Sequence, residues 1–313
     1  ADWWANFVTE FNEANPDINL NVEVVSWNDI YTVVNTRIAN GEAPDVLNID
    51  VFADYQADDL LLPIQDVVSE ETYSKMYDAF LAQSEVDGTV WAIPDLASAR
   101  AMYYNKDILD AAGVEVPTTW DEFEEVLQKL SDAGIQPLTT GGSDKWGATR
   151  LINAYAVRTA GNDIMTKAAD GEVPYTDEKL VAAADKIAEW AEKGYFGEGI
   201  TTVDMNTAGS MLMSGKAAIF YNGSWFTQNL TDDSQNPAGE DGIGFFNIPV
   251  ADESISSATS YSMNCGNILA LDNDKYDEAT GWFLKYFMEN IGNVAMEDQG
   301  TVKGYTYDVA ADD

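Results

Sequence analysis

Apolar positions at the start of the chain follow a helical period and then a strand period. The first set shares one helical face and comprises Trp3, Trp4, Phe7, Val8 and Phe11. Asn15-Pro16 predicts the end of this helix, because proline disfavours helical backbone in the residue before it. Every second residue from Ile18 to Val24 is apolar, and this alternation predicts a strand.

Strand and helix signals keep alternating over the rest of the chain. Short apolar runs predict strands over 46–49, 217–221, 243–248 and 267–271, an extended segment over 97–104, and a hairpin around Asp87-Gly88. The helix signals are Asn28 as a cap, a capping box of Thr119 with Glu122, a long helix ended by Gly194, and an aromatic-rich helix over 276–288. This alternation predicts an α/β fold with mostly parallel sheets.

Length and composition define the class of protein. With 313 residues, of which 46% are hydrophobic, the chain is long enough for two globular lobes, each with its own core. No run of about 18 apolar residues predicts a transmembrane helix. The first residues lack the basic and apolar regions of an export signal, so we interpret the sequence as a mature or trimmed product.

Charge and the rare residue types exclude several function classes. The chain has 54 acidic and 16 basic residues, and its formal net charge of −38 opposes binding to nucleic acid and to anionic lipid. It has no histidine, which excludes a Ser-His-Asp triad and the usual zinc sites. Its one cysteine, Cys265, cannot form an internal disulfide and is predicted to be a small buried residue. We expect no catalytic residue, metal or cofactor.

Six short motifs follow one another in a fixed order. They are Phe11-Asn12-Glu13-Ala14-Asn15-Pro16-Asp17-Ile18, Asn40-Gly41-Glu42-Ala43-Pro44-Asp45-Val46, Asp87-Gly88 with Ile93-Pro94 and Tyr103-Tyr104-Asn105-Lys106-Asp107, Pro117-Thr118-Thr119-Trp120-Asp121-Glu122, Gly215-Lys216-Ala217-Ala218-Ile219, and Asn222-Gly223-Ser224-Trp225. Each motif is weak alone, but six in order over most of the chain form a specific signal. The sequence resembles the family 1 extracellular solute-binding proteins of bacterial ABC importers, the group that contains the maltose-binding protein.

The resemblance implies a fold and a domain organisation. The fold is α/β, a two-lobe periplasmic-binding-protein-like fold of type II, in which each lobe is a mostly parallel sheet flanked by helices. Residues 1–105 with 262–305 would form a discontinuous first lobe, 106–261 the second lobe, and 306–313 a truncated tail. The family usually begins with a strand before the first helix and continues into further C-terminal helices, so both ends of this sequence are interpreted as cut back.

The resemblance also implies a function. The protein would capture a sugar or oligosaccharide by lobe closure and deliver it to ABC permease membrane subunits, with no chemistry on the ligand. It would act outside the cell or in the periplasm as a monomer, with a lipid anchor in the full-length precursor. Two alternatives stay open: a carbohydrate-active enzyme of the acidic glycosidase type, and a carbohydrate sensor or adhesion module.

Two candidate ligand-binding residues follow predicted strands. Sugars expose hydroxyls and flat apolar faces, so their sites combine aromatic rings with polar side chains. Trp225 follows the strand over 217–221 and a predicted turn, where ligands of α/β sheets bind, and the resembling family places a sugar-stacking tryptophan there. The alternative is a tryptophan packed under a loop. Asp50 ends the strand over 46–49 and either accepts hydrogen bonds from sugar hydroxyls or caps a helix.

Four further candidates lie after a predicted strand or after a glycine-rich loop. Trp27 follows the predicted strand over 18–24 and either stacks on a sugar or packs in the core. Trp146 follows the loop 141–145, after which the family often has ligand contacts. Arg150 and Asn153 lie one and two turns further along the same predicted helix. A surface ion pair is the alternative for Arg150, because the chain is so acidic.

The remaining candidates come from the segments that the resemblance takes through the cleft. Ser98 and Arg100 share one face of the extended segment before Tyr103, and a salt bridge is the alternative role of Arg100. Tyr261 and Asn264 lie near the expected return crossing. The run 272–277 superficially resembles a calcium loop, but it lacks the glycine that an EF-hand needs at its sixth position, so we reject a metal site there.

Overall fold

A computed structural model of the chain describes residues 3–49, 52–232, 234–299 and 303–309. The helices are α1 (Trp3–Ala14), α2 (Trp27–Ala39), α3 (Ala53–Ala57), α4 (Glu70–Tyr73), α5 (Asp78–Leu81), α6 (Lys106–Ala112), α7 (Trp120–Asp132), α8 (Trp146–Ala160), α9 (Ile164–Ala169), α10 (Glu178–Glu192), α11 (Met205–Met213), α12 (Thr227–Leu230) and α13 (Glu278–Gln299). The strands are β1 (Val46–Ile49), β2 (Leu61–Leu62), β3 (Glu85–Val86), β4 (Thr89–Val90), β5 (Ile93–Asn105), β6 (Leu138–Thr139), β7 (Ile219–Gly223), β8 (Ile243–Phe246) and β9 (Met263–Asp272).

The chain divides into two compact units. The first unit consists of Ala1–Ser98 and Asn264–Asp313, and the second unit of Ala99–Met263. The chain therefore passes between the units twice, once within β5 and once at the start of β9. The end of β5 belongs to the second unit because it pairs there with β7 and β8. The lobe boundaries at 105/106 and 261/262 stay a prediction from sequence.

The core of the first unit is built around aromatic side chains of α1 and α13. The helical period at the start of the chain does form α1, and Phe7 and Phe11 on its apolar face are fully buried. Both rings make edge contacts with Phe283, and Phe7 makes another with Phe287. Each buried ring of this size stabilises the fold by about 1.5–3 kcal/mol relative to an exposed one.

The segment from Ile18 to Val24 was expected to be a strand and is not one. Ile18 and Leu20 are half-buried against the first-unit core, but Val22 is 40% and Val24 88% exposed. Alternation shows which side of a strand would be buried, but pairing needs a second strand, and this segment has none among the described residues. The next helix begins at Trp27, so Asn28 lies inside α2 and is not its cap.

Antiparallel pairing dominates the sheet of the first unit. β1 pairs antiparallel with β9 from Val46 opposite Leu271 to Ile49 opposite Ile268, and β2 also pairs antiparallel with β9. The expectation of mostly parallel sheets is therefore wrong for these pairs. The hairpin expected around Asp87-Gly88 is present as β3 and β4, and both turn residues have positive φ, as a tight two-residue hairpin turn requires.

The second unit combines one parallel strand pair with antiparallel ones. β6 pairs parallel with β7, whereas β7 and β8 each pair antiparallel with β5, so the expectation of mostly parallel sheets is wrong here too. The predicted capping box begins α7: the hydroxyl of Thr119 accepts from the Glu122 backbone N–H, and the Glu122 carboxylate accepts from the Thr119 N–H. Behind the sheet, Trp120, Phe123 and Trp190 pack together in the core.

Candidate functional site: an arginine between two tryptophans

Trp225 lies just past the end of β7. Asn222 and Gly223 belong to that strand rather than to a turn, and Ser224–Phe226 form a short 3-10 helix. Within this helix Phe226 is buried against Tyr103, with ring centroids 5.1 Å apart, and it anchors the segment. Its neighbour Trp225 is left half-buried and available at the strand end. The predicted position of Trp225 at a carboxyl edge is thus found in the structure.

Trp146 is the first residue of α8 and follows a tightly packed glycine loop. A Cβ at Gly147 would lie 2.5 Å from the Thr140 hydroxyl, so only glycine allows α8 to begin this close to the residues after β6. The Asp144 carboxylate accepts from the Met205 backbone N–H at 2.6 Å and ties the loop to the start of α11. These contacts fix where the half-buried indole of Trp146 lies.

Arg100 lies against both of these tryptophans. It is paired across the sheet with Gly223, whose missing side chain leaves room on that face for the guanidinium. The guanidinium carbon is 4.3 Å from the ring centroid of Trp225 and 5.7 Å from that of Trp146. The two rings meet edge to face with centroids 6.3 Å apart. We call Arg100, Trp146 and Trp225 the indole–arginine cluster.

Among the described residues, no carboxylate forms an ion pair with the buried Arg100. Only 4% of the residue is exposed, its Nη1 has no hydrogen-bond partner, and no described residue forms an ion pair with it. Burial, with the positive charge of Arg150 adding to it, lowers the pKa of Arg100 to about 10, so it stays charged at neutral pH. The salt bridge considered as its alternative role is not found among the described residues. Cation–π contact is the attraction that the structure shows.

Two buried tyrosines complete the surroundings of the cluster. Burial raises the pKa of Tyr103 to about 12 and that of Tyr221 to about 12, so both hydroxyls stay protonated. The Tyr103 hydroxyl donates to the Gly223 carbonyl at 3.3 Å, which holds this end of β7. Neutral phenols cannot supply the negative charge that Arg100 lacks.

Arg150 and Asn153 are carried by α8, one and two turns after Trp146. Arg150 is exposed, and no described residue forms an ion pair with it, so the surface ion pair considered from the sequence is not found. It lies one turn after Trp146 on the same face of α8, and its charge contributes to the lowered pKa of Arg100. Asn153 is half-buried. Tyr261, also in the second unit, is 45% exposed and partly offsets the lowering of the pKa of Arg158 by burial.

Arg158 is an interior residue that the sequence did not single out. It is only 3% exposed and donates to the carbonyls of Ile248, Ser257 and Ser260 at 2.8–3.0 Å. Burial lowers its pKa, while Tyr221 opposes that shift. Sequence reasoning missed Arg158 because nothing in the sequence shows which loop the side chain of this helical residue reaches.

The other candidates belong to the first unit. Trp27 is 46% exposed at the start of α2, so the alternative of core packing is wrong for it. Ser98 is fully buried in β5, and Asn264 in β9 is half-buried with its amide oxygen lacking a partner. Asp50 lies outside the described residues. Among the described residues, Arg100, Trp146 and Trp225 are in contact, and Arg150 follows Trp146 by one turn of α8.

Family comparison decides what kind of protein presents this cluster. Residues 1–294 match the family of bacterial extracellular solute-binding proteins. The chain belongs to this family. The match covers both units, so the family resemblance inferred from the six motifs is confirmed. The chain spans about half the length of the curated relatives it matches.

Curated relatives of this solute-binding chain include sugar-binding proteins. It is 29% identical over 218 residues to a probable sugar-binding periplasmic protein of Rhizobium meliloti, covering 64% of this chain and 51% of the relative. It is 25% identical over 248 residues to the multiple sugar-binding protein of Streptococcus mutans, covering 77% and 58%. A putative binding protein of Brucella abortus is 27% identical over 229 residues, covering 72% and 55%.

Solved structures show the fold of this family member. A protein described in work on xylan utilisation by Caldanaerobius polysaccharolyticus aligns with a TM-score of 0.86 at 21% identity, over 98% of this chain and 79% of that one. A chitin oligosaccharide binding protein aligns with a TM-score of 0.86 at 22% identity, over 97% and 77%. The chain thus has the mixed α/β fold of the type II periplasmic binding proteins.

The described residues show no metal site, no membrane-spanning helix and no reactive thiol. No three His, Cys, Asp or Glu side chains there gather closely enough to hold a metal ion. Among the described helices, none combines the length and apolar character needed to cross a bilayer. Cys265 is half-buried rather than fully buried, and burial raises the pKa of its thiol to about 12, so it carries no reactive thiolate at neutral pH.

Proposed function

We propose that this chain is the ligand-capturing part of an ABC importer's solute-binding protein and that its ligand is a sugar or an oligosaccharide. The observation that carries the proposal is the indole–arginine cluster: two half-buried indoles held at a strand end by a buried guanidinium. Indole faces bind the apolar faces of sugar rings, and guanidinium groups donate to hydroxyls. Sugar-binding relatives in the same family support this choice of ligand.

The ligand would stack on Trp225 and Trp146, with Arg150 and Asn153 available for its polar groups. Trp27, Asp50, Ser98, Tyr261 and Asn264 stay proposed ligand contacts from sequence. Capture by closure of the two lobes stays a prediction from the resemblance. Delivery to permease subunits, action as a monomer outside the cell or in the periplasm, and a lipid anchor in the precursor complete the proposal. The ligand would leave chemically unchanged.

A saccharide panel tests the proposed function. The purified chain is screened by thermal shift against mono- and oligosaccharides, and calorimetry follows each hit. Incubated ligands are then analysed by chromatography. A raised melting temperature with intact ligand supports a binding protein, because a ligand that binds only the folded state stabilises it. Hydrolysed ligand would instead indicate a glycosidase, and a panel without any hit would refute the carbohydrate ligand.

A further inference from the structure

Positive charge is concentrated in the second unit around one buried tyrosine. Arg37 lies in the first unit, whereas Arg100, Arg150 and Arg158 all lie in the second, and all three partly oppose the rise in the pKa of Tyr221 that burial causes. Tyr221 is paired with Met102 on the strand that carries Arg100. Three of the chain's four arginines therefore share one neighbourhood in a protein with a net charge of −38.

No carboxylate compensates this charge among the described residues. Arg158 is satisfied by three backbone carbonyls, but Arg100 keeps a buried Nη1 without a partner and Arg150 has no ion pair. Arg37, in contrast, is bound through both oxygens by Glu23. Burying a cation without a carboxylate partner costs free energy. The chain has 54 acidic residues, yet none of those described pairs with Arg100.

We infer that the anion missing from this neighbourhood is brought by the ligand, and that the ligand class is an acidic saccharide carrying a uronic-acid carboxylate. This inference rests on the proposed function. The sugar ring would stack on Trp225 and Trp146, while its carboxylate pairs with the exposed Arg150 and offsets the positive charge of Arg100 buried beneath the rings. Arginine suits this role because its planar fork binds both oxygens of a carboxylate and its face stacks on aromatic rings.

Matched acid and ester ligands test the inference at pH 7. Calorimetry compares galacturonate, glucuronate and mannuronate, each as monomer and trimer, with the corresponding methyl esters, which keep the ring and lose the charge. We expect at least one acid to bind about tenfold or more tightly than its ester. Equal affinity for acid and ester, or hits confined to neutral sugars, would overturn the inference and leave the proposed function standing.

Variants assign the preference to the two arginines. Arg150→Gln, at an exposed position, should reduce the acid-to-ester ratio to about threefold or less, and Arg100→Gln should do the same if the variant folds. Arg37→Gln also removes one positive charge, but Arg37 is already paired with Glu23, so the ratio should not change. A ratio that survives both Arg150→Gln and Arg100→Gln would overturn the assignment. If neither charged nor neutral saccharides bind, both the inference and the proposed function fail.

Discussion

At the scale of single residues, neighbouring side chains differ sharply in exposure. Phe226 and Trp225 are consecutive, yet the first is buried and the second half-buried, because the 3-10 helix turns them to different sides. Trp120 and Trp190 stack deep in the second unit, whereas Trp146 and Trp225 meet at its surface. The same residue type thus stabilises the fold in one place and offers a ring face in another.

Replacing Trp225 by alanine should weaken saccharide binding about tenfold or more, since covering about 100 Å² of ring face contributes roughly 2–3 kcal/mol. Calorimetry with the best saccharide of the panel measures the change. Trp282→Ala is the matched control, because Trp282 is also about half exposed but its indole is already engaged by Asn15 and Lys285. Unchanged affinity of the Trp225 variant would remove this indole from the site.

Replacing Arg158 by methionine should lower the free energy of unfolding by about 3 kcal/mol or more, because three carbonyls lose their buried donor. Urea titration measures it. Arg37→Met serves as the control: its partner Glu23 is 55% exposed, and such surface pairs contribute only about 0.5 kcal/mol. A cost no larger than the control's would show that water replaces the guanidinium at those carbonyls.

At the scale of elements, the structure confirms several signals between residues near in sequence, whereas the direction of pairing between distant strands was predicted wrongly. The capping box, the Asp87-Gly88 hairpin and the apolar face of α1 each depend on residues near in sequence, and the structure contains all three. The direction of β1 against β9 depends on distant residues, and the expectation of parallel pairing was wrong. The segment from Ile18 to Val24 shows the same limit.

The candidate site shows the same difference between local sequence signals and pairing of distant strands. Trp225 was a candidate because a predicted strand end and turn precede it in sequence, although β7 continues through Asn222 and Gly223 in the structure. The contact of Arg100 with both indoles requires the register of β5 on β7, which no local pattern specifies. Arg158 was missed for a related reason, since its partners lie about 90 or more residues further along the chain. Sequence thus supplied the candidate residues, and pairing decided which of them meet.

The capping box makes the stability of α7 depend on pH. Hydrogen bonds from Thr118 and Thr119 lower the pKa of the Glu122 carboxyl in the folded state. Its stabilising effect is therefore present above the unfolded pKa of about 4.3 and is lost as pH falls through the folded value. Glu122→Gln should lower the melting temperature at neutral pH, and the difference from the parent should shrink in acid.

Thermal unfolding of the parent and the variant at several pH values measures that difference. Glu125→Gln, at an exposed position of the same helix, is the control for loss of one negative charge. A deficit of the Glu122 variant that stays constant into strong acid would contradict a charge-dependent role of this carboxylate.

At the scale of the whole molecule, the net charge of −38 dominates long-range electrostatics. Few ion pairs of the described residues are shielded from water, and those around Lys186 are the most covered. Like charges spread over the surface repel one another and destabilise the compact state. Repulsion between like charges therefore destabilises the folded chain, and dissolved salt can screen this repulsion.

Raising NaCl from about 10 mM to about 300 mM should raise the melting temperature by a few degrees, because the screening length falls from about 30 Å to below 10 Å. Calorimetric scans measure the shift. Sucrose at equal osmolality controls for effects of solutes other than screening. A melting temperature that falls with added salt would show that attractive pairs outweigh the repulsion.

The edge-to-face meeting of Trp146 and Trp225, with centroids 6.3 Å apart, gives the molecule an optical signature of its own. Electronic transitions of two rings at this separation couple and produce a circular-dichroism couplet in the ultraviolet. If a saccharide binds on either ring as proposed, we expect the couplet to change, while the nearly parallel, buried pair of Trp120 and Trp190 supplies a constant background. Occupancy can therefore be followed without any attached dye.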